Sequence, residues 1–447
     1  MADNRVNQAV DAEPWPKPII GWYAVSILTL AYIFSFIDRT IIALMVQPIK
    51  ADLNLSDTQI GILHGFAFAL FYTIMGLPIG WLADRKRRKA IISAGIFVWS
   101  LMTAACGLAS SFWHLFLARV GVGVGEAALS PPAYSMLADF FPPPKLGRPI
   151  GVYSSGIYIG AGLAFIVGGA VVQFFRNVQS INVPVLGELF SWQLAFMAVG
   201  LPGIFIAALM MTIREPARRG QAKGQQLNKS VKGFLLWLYE HKKPMFAQII
   251  GVSFIGIPVQ AIIAWAPTYF IRVHGYKPGQ AGFALGLIFL AFGATGMVAG
   301  GFITDWFKGK GHDNAPVRTG LLAAVLAIPF AISATIVAGP MLSLALLGPL
   351  IFFVSMGVGA APTGLQLVTP NQYRAQVAAV FLLLLNLIAT GFAPLLTGMA
   401  TDYIFKNDVA VGMSISLVCG LATPIAAVIF VVGLKPYSAM ARNLERT

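Results

Sequence analysis

Apolar residues in this 447-residue chain gather into long runs, separated by short stretches rich in Lys, Arg, Asp, Gly and Pro. A helix needs roughly 20 apolar residues to cross the hydrocarbon core of a bilayer. Segments of that kind occupy 19–47, 57–82, 89–109, 111–139, 147–176, 190–213, 244–272, 278–305, 316–338, 341–368, 372–403 and 410–437. Two of the divisions rest only on Ser110–Ser111 and on Gly339–Pro340. The longest polar gap, Arg214 to Lys243, follows the sixth segment. The pattern predicts an all-α polytopic membrane protein with twelve transmembrane helices in two six-helix bundles. A tail covers 1–18, the first bundle 19–213, a linker 214–243, the second bundle 244–437 and a second tail 438–447. The first 18 residues carry Asp3, Asp11 and Glu13. They lack the basic start and short apolar core of a secretory leader, so the first run is expected to remain as a helix.

Composition agrees. Hydrophobic residues make up 57% of the chain and charged residues 11%, against roughly 25% charged in an average soluble domain. Too little polar surface is left to coat a water-soluble globule of this size. The net charge of +14 would suit a nucleic-acid partner in a soluble protein. Here its densest run, Arg85-Lys86-Arg87-Arg88-Lys89, lies between two membrane segments. That placement points to topology and anionic lipid instead, and excludes nucleic acid. Of 31 lysines and arginines, Lys50, Arg176, Arg272, Lys277 and Lys406 lie in one set of loops and Arg39 and Arg119 within spans; the other 24 share the side of both termini. Cytoplasmic termini in a cell (inner) membrane follow from that bias. Cys106 and Cys419 sit inside apolar runs and read as small buried hydrophobes. No metal-ligand spacing and no nucleophile–base pair emerges, so neither an enzyme nor a cofactor is expected, beyond a proton gradient.

An internal repeat divides the chain the same way. At an offset of 221, Gln59 meets Gln280, Gly61 meets Gly282, Gly65 meets Gly286, Phe68 meets Phe289, Gly80 meets Gly301 and Asp84 meets Asp305. Parallel repeats of this kind occur in transporters that rock one bundle against the other.

Four ionisable residues lie within spans of the first half: Asp38, Arg39, Arg119 and Glu126. A charge at a helix centre costs at least ~2.5 kcal/mol, so these groups should face the protein interior or a water-filled cavity. Asp38 and Arg119 lie at similar depth, ~10–12 Å from one surface at ~1.5 Å per residue, and are expected to pair. Glu126 is two turns beyond Arg119 on nearly the same face, and Arg39 reaches Glu126 or the substrate. A carboxylate that gains and loses an arginine partner in each cycle would take up and release a proton. That role falls first to Asp38, then to Glu126. A static network that only fixes helix packing is the alternative. His64, mid-span, could relay protons or simply pack. The glycines at 121, 123 and 125 read as a packing seam.

The second half differs. At an offset of 234, Ala360 stands where Glu126 does and Phe353 where Arg119 does. The expected lining there is Phe254, Gln260, Trp265, Phe352, Phe353, Gln366 and Asn386, faced from the first half by Tyr153 and Tyr158. One charged wall and one apolar wall suit a small amphipathic solute, with a polar or anionic head on Arg39 and Arg119.

The loop Gly80-Trp81-Leu82-Ala83-Asp84-Arg85-Lys86-Arg87-Arg88-Lys89 resembles the signature loop of the major facilitator superfamily, with Arg87 where that signature usually has glycine. Phe36-Ile37-Asp38-Arg39, Arg119 through Ala127 and Ala138-Asp139-Phe140-Phe141 resemble its spinster branch, described as carriers of lysophospholipids or sphingosine phosphate, some of them proton-linked. The resemblance implies a cytoplasmic latch at Gly80, Asp84, Arg85 and Arg88, which Asp139 and Arg148 would join. It implies a proton-coupled, alternating-access carrier of a lipid-like solute, acting as a monomer among membrane lipids. A carrier of small organic anions or drugs and a non-transporting membrane sensor are the competing readings.

Overall fold

A computed structural model describes residues 15–83, 85–142, 145–175, 180–183, 187–218, 231–370 and 373–445. Each apolar run is a helix. Spans 1 to 6 are Pro18–Leu44, Asp57–Ala83, Arg88–Cys106, Phe112–Phe140, Gly147–Phe175 and Ser191–Met211. Spans 7 to 12 are Lys242–His274, Pro278–Gly309, Ala315–Ser333, Pro340–Val368, Gln376–Phe405 and Val411–Glu445. In the first bundle span 1 packs on span 5, span 3 on span 6, and spans 2 and 3 on span 4. The second bundle repeats these pairings six spans later: 7 on 11, 9 on 12, and 8 and 9 on 10. This is the major facilitator fold.

The bundles meet where span 5 crosses span 8 and span 2 crosses span 11. Both seams use residues without side chains. A Cβ on Gly65 would stand 2.6 Å from the carbonyl oxygen of Gly391, and one on Gly282 2.2 Å from that of Phe165. These seams lie in the half of the molecule remote from both termini, here the distal face. Toward the terminal face, a Cβ on Gly80, Gly147, Gly151 or Gly301 would meet nothing within 4 Å. Among the described residues, the contacts between the bundles concentrate on the distal face and thin out toward the terminal face.

Several local features depart from the reading of the sequence. The linker contains a helix, Val231–Glu240, whose Phe234 and Trp237 pack on Tyr373 at 5.8 and 5.3 Å between ring centres. Its apolar residues are too few to span a bilayer but enough to hold one face against the second bundle. Strands β1 (Ser180–Val183) and β2 (Gly187–Phe190) form a hairpin before span 6. Span 12 runs on to Glu445. Spans 4 and 10 both break, after Glu126 and after Gly359. Span 2 carries a π-turn at Ile62–Phe66.

Candidate functional site

The charged constellation forms where spans 1, 2 and 4 meet. Glycine in span 4 makes that approach possible: a Cβ on Gly123 would lie 2.6 Å from the Phe68 carbonyl of span 2. Arg39 donates to Glu126 at 2.5 Å. Its guanidinium lies 4.2 Å from the centre of the Phe68 ring, with Phe36 and Tyr72 at 5.1 and 5.7 Å. Aromatic faces attract a guanidinium most where water is scarce, and Glu126 is 2% exposed. Tyr32 packs edge-on against Phe36 at 5.5 Å and stacks on Tyr153 at 4.9 Å. The Tyr153 hydroxyl donates to Ser130 at 3.4 Å. One face of span 1 (Tyr32, Phe36, Arg39) thus continues into a cluster of tyrosines.

Arg119 is placed differently from the expected pairing with Asp38. It donates to three backbone carbonyls, those of Leu63 at 3.3 Å, Asp38 at 3.2 Å and Arg39 at 3.3 Å. The π-turn explains the first. It diverts the Ala67 N–H to Ile62, so the Leu63 carbonyl loses its usual α-helical donor and accepts from Arg119. The Asp38 carboxylate is fully buried and both of its oxygens lack a hydrogen-bond partner. Depth placed the two residues together correctly. Carbonyls, which a sequence cannot rank as acceptors, took the guanidinium.

In the second bundle, Gln260 donates to the Thr390 hydroxyl at 3.0 Å. Trp265, expected in the lining, is 1% exposed and donates to the Pro394 carbonyl at 2.9 Å; it fastens span 7 to span 11. Phe353 packs with Phe330 and Phe352 at 5.9 and 5.5 Å. Tyr158 covers Gly293 on span 8, where a Cβ would lie 2.4 Å from its ring.

Of the terminal-face residues, Asp84 lies outside the described residues. Gly80 faces open space, Arg85 covers the Trp81 ring at 3.7 Å and Arg148 is exposed. Arg88 is buried and donates to Asp139, to Ser135 at 2.9 Å, to Glu215 at 3.1 Å and to the Pro216 carbonyl at 3.1 Å. It ties span 3 to the ends of spans 4 and 6, all within the first bundle.

A cross-bundle lock on the distal face was not foreseen. Asp57, at the start of span 2, accepts from Arg272 of span 7 at 2.7 and 3.1 Å and from Lys50 at 3.0 Å. Lys50 also pairs with Asp408 at 2.7 Å. Asp402 accepts from the Thr58 backbone and hydroxyl, each at 2.6 Å. In the sequence, Lys50 and Arg272 count only as two loop charges. No local spacing links them to an aspartate 215 residues from one of them.

A sequence model of the Major Facilitator Superfamily matches residues 28–394. The probable L-galactonate transporter of Escherichia coli (strain K12) is 26% identical over 428 residues, 91% of this chain and 88% of that one. A sphingosine-1-phosphate transporter of Xenopus tropicalis is 24% identical over 441 residues, 94% of this chain and 81% of that one. Among solved structures, a bacterial homologue of the human lysosomal transporter Spinster, in an inward-facing and unoccupied conformation, superposes with a TM-score of 0.79. It is 28% identical, with 96% of this chain and 99% of that one covered. By sequence and by architecture, this chain belongs to the Major Facilitator Superfamily, in which it resembles the spinster proteins.

Proposed function

We propose that this transporter carries an amphipathic, lipid-like solute of the lysophospholipid or sphingoid type by proton-coupled alternating access. It would work as a monomer in the cell (inner) membrane with both termini cytoplasmic, the orientation favoured by the lysine and arginine bias. The observation that carries the reading is the inequality of the two walls. Arg39 and Glu126 sit with Arg119 and Asp38 in the first bundle, while spans 7 and 10 contain no charge between Pro244 and Ile271 or between Pro340 and Val368. An anionic head would displace Glu126 from Arg39 and leave a chain against Phe353 and its neighbours. Asp38 and Glu126 would take up and release protons as rocking changes the cations around them. With the bundles locked together distally and their contacts thinning toward the terminal face, the molecule would load or discharge on the cytoplasmic side.

The sugar-acid relative supports a second reading, a small organic anion on the same arginines. Proton flux in proteoliposomes separates the two. A lysophospholipid should stimulate flux and galactonate should not. Flux driven by galactonate alone would overturn the lipid-like assignment and leave proton-linked transport standing.

A further inference from the structure

A second apolar recess lies away from the charged site, on the outside of the first bundle. Spans 2 and 3 both lean on span 4 and scarcely touch each other. The gap between them is a groove of about 640 Å³. Its floor is made by small residues: Gly95 of span 3 meets Gly125 and Ala128 of span 4, where a Cβ on Gly95 would stand 2.5 Å from the Ala128 methyl. Its walls are Ile79 and Leu82 of span 2 and the stripe Ala90, Ala94 and Val98 of span 3. Leu82, Ala90, Ala94 and Val98 are exposed, and so are their neighbours Phe97 and Leu101. In a membrane-spanning bundle, such a surface faces lipid.

The mouth of this groove differs from its walls. Lys86 and Arg87 line it, and both are exposed. The other basic residues of the same loop are committed: Arg88 to Asp139 and Glu215, Lys89 to the carbonyls of Met211 and Ile213 at 3.2 and 3.0 Å, and Arg85 to the Trp81 ring. Among the described residues, no carboxylate forms an ion pair with Lys86 or Arg87. Length adds a second constraint. From Arg87 to Val98 is eleven residues, about 16 Å of helix, and half of a ~30 Å hydrocarbon core is about 15 Å. The groove therefore runs from the interface on the terminal face to the bilayer midplane, one leaflet deep.

We propose that this groove binds one anionic glycerophospholipid of the terminal-face leaflet, with its phosphate between Lys86 and Arg87 and an acyl chain along Ala90, Ala94 and Val98. Basic clusters beside transmembrane helices attract such head groups. Small residues leave room for a chain. The floor residues Gly125 and Ala128 flank Glu126, which points the other way toward Arg39, so the bound lipid lies back-to-back with the charged site and outside it. The assignment does not depend on what the central site carries.

Native mass spectrometry of the full chain tests it, using phosphatidylglycerol and phosphatidylcholine of matched acyl chains. The wild type should retain phosphatidylglycerol over phosphatidylcholine by about fivefold or more. Lys86→Gln with Arg87→Gln should bring that ratio close to one. Ala94→Leu, which fills the groove and leaves the charges, should lower retention of both lipids several-fold. Circular dichroism must show wild-type helix content for each variant. The proposal fails if the double variant keeps the preference, which would place the head group elsewhere. It fails equally if Ala94→Leu retains phosphatidylglycerol at the wild-type level, which would make the attraction a surface charge effect without a groove.

Discussion

Spans 4 and 10 occupy equivalent places in the two bundles and share a Gly-Val-Gly run, at 123–125 and 357–359, yet the charges of one are missing from the other. Each packs against the second and third helices of its own half, and the two break within one residue of the same relative position, after Glu126 and after Gly359. Span 4 carries Arg119 and Glu126; span 10 has Phe353 and Ala360 in their places. The close approach is supplied from one side in the first half and from both sides in the second. In the first half Gly123 of span 4 receives the Phe68 carbonyl of span 2. In the second, Gly359 of span 10 receives the Met297 carbonyl of span 8, while Gly296 and Gly300 of span 8 receive the Phe352 and Met356 carbonyls of span 10. A helix–helix seam needs a small residue on either partner, so repeats can drift while the fold holds. A buried ion pair needs two particular side chains, and it survives in only one copy.

The largest effect should come from the carboxylate without a partner. Asp38→Asn keeps the shape and removes the titration. Accumulation driven by a pH gradient in proteoliposomes should be abolished, while exchange of solute at equal pH persists. Accumulation that still follows the gradient would remove the proton role from Asp38 and make the first bundle's charge structural.

Next is the Arg39–Glu126 pair. Arg39→Ala strands a buried carboxylate, a change that costs about 3–5 kcal/mol where one partner of a buried pair is lost. Thermal unfolding should report a large loss of stability together with loss of transport. Arg39→Met with Glu126→Leu should recover the stability, because a hydrophobic pair of similar volume fills the site without desolvation, and should stay inactive. A transporting double variant would show that the two halves differ in charge without differing in function.

A smaller effect is expected at the distal lock. Arg272→Ala leaves Asp57 with Lys50 alone. The change removes two charge-assisted hydrogen bonds across the bundles; at about 1.5–3 kcal/mol for a single bond of this kind, the two-state balance should shift by at least roughly 10-fold in population. Distance measurements between spin labels at the distal ends of spans 2 and 8 should reveal a distal-open fraction that the wild type lacks. An unchanged distance distribution would mean that the glycine seams alone hold the face shut.

How much of this was legible from residue order follows from the physics of each feature. Span number and the division into halves come from the length of apolar runs, which a bilayer imposes uniformly. The first-bundle cluster was within reach because Asp38, Arg39, Arg119 and Glu126 are too costly to face lipid, because Asp38 and Arg119 share a depth, and because Glu126 follows Arg119 two turns on along nearly the same face. The aromatic box could have been found from spacing: Tyr32, Phe36 and Arg39 lie one turn apart on span 1, as Phe68 and Tyr72 do on span 2. Arg119's bonds could not have been found. The one to Leu63 depends on a π-turn that frees a carbonyl, which nothing in Ile62–Phe66 announces, and the other two go to span 1 carbonyls that residue order does not rank as acceptors. The Asp57–Arg272 contact was hidden for another reason, since it joins helix ends 215 residues apart and exists only where the bundles meet.

Gln260→Leu probes the other side of the comparison and should do least. Its amide donates to Thr390 within the second bundle, joining spans 7 and 11. An ordinary neutral hydrogen bond contributes about 0.5–1.5 kcal/mol net, and the buried Thr390 hydroxyl can find a carbonyl one turn back in its own helix. Stability should fall by about 1 kcal/mol or less, and affinity for the solute should change by at most a few fold. The pH dependence of transport is the informative reading. If protons are handled in the first bundle alone, the pH profile of Gln260→Leu must overlay that of the wild type while its amplitude varies. A shifted profile would mean that an amide in the apolar half influences protonation in the other bundle, and the two walls would have to be treated as one coupled site.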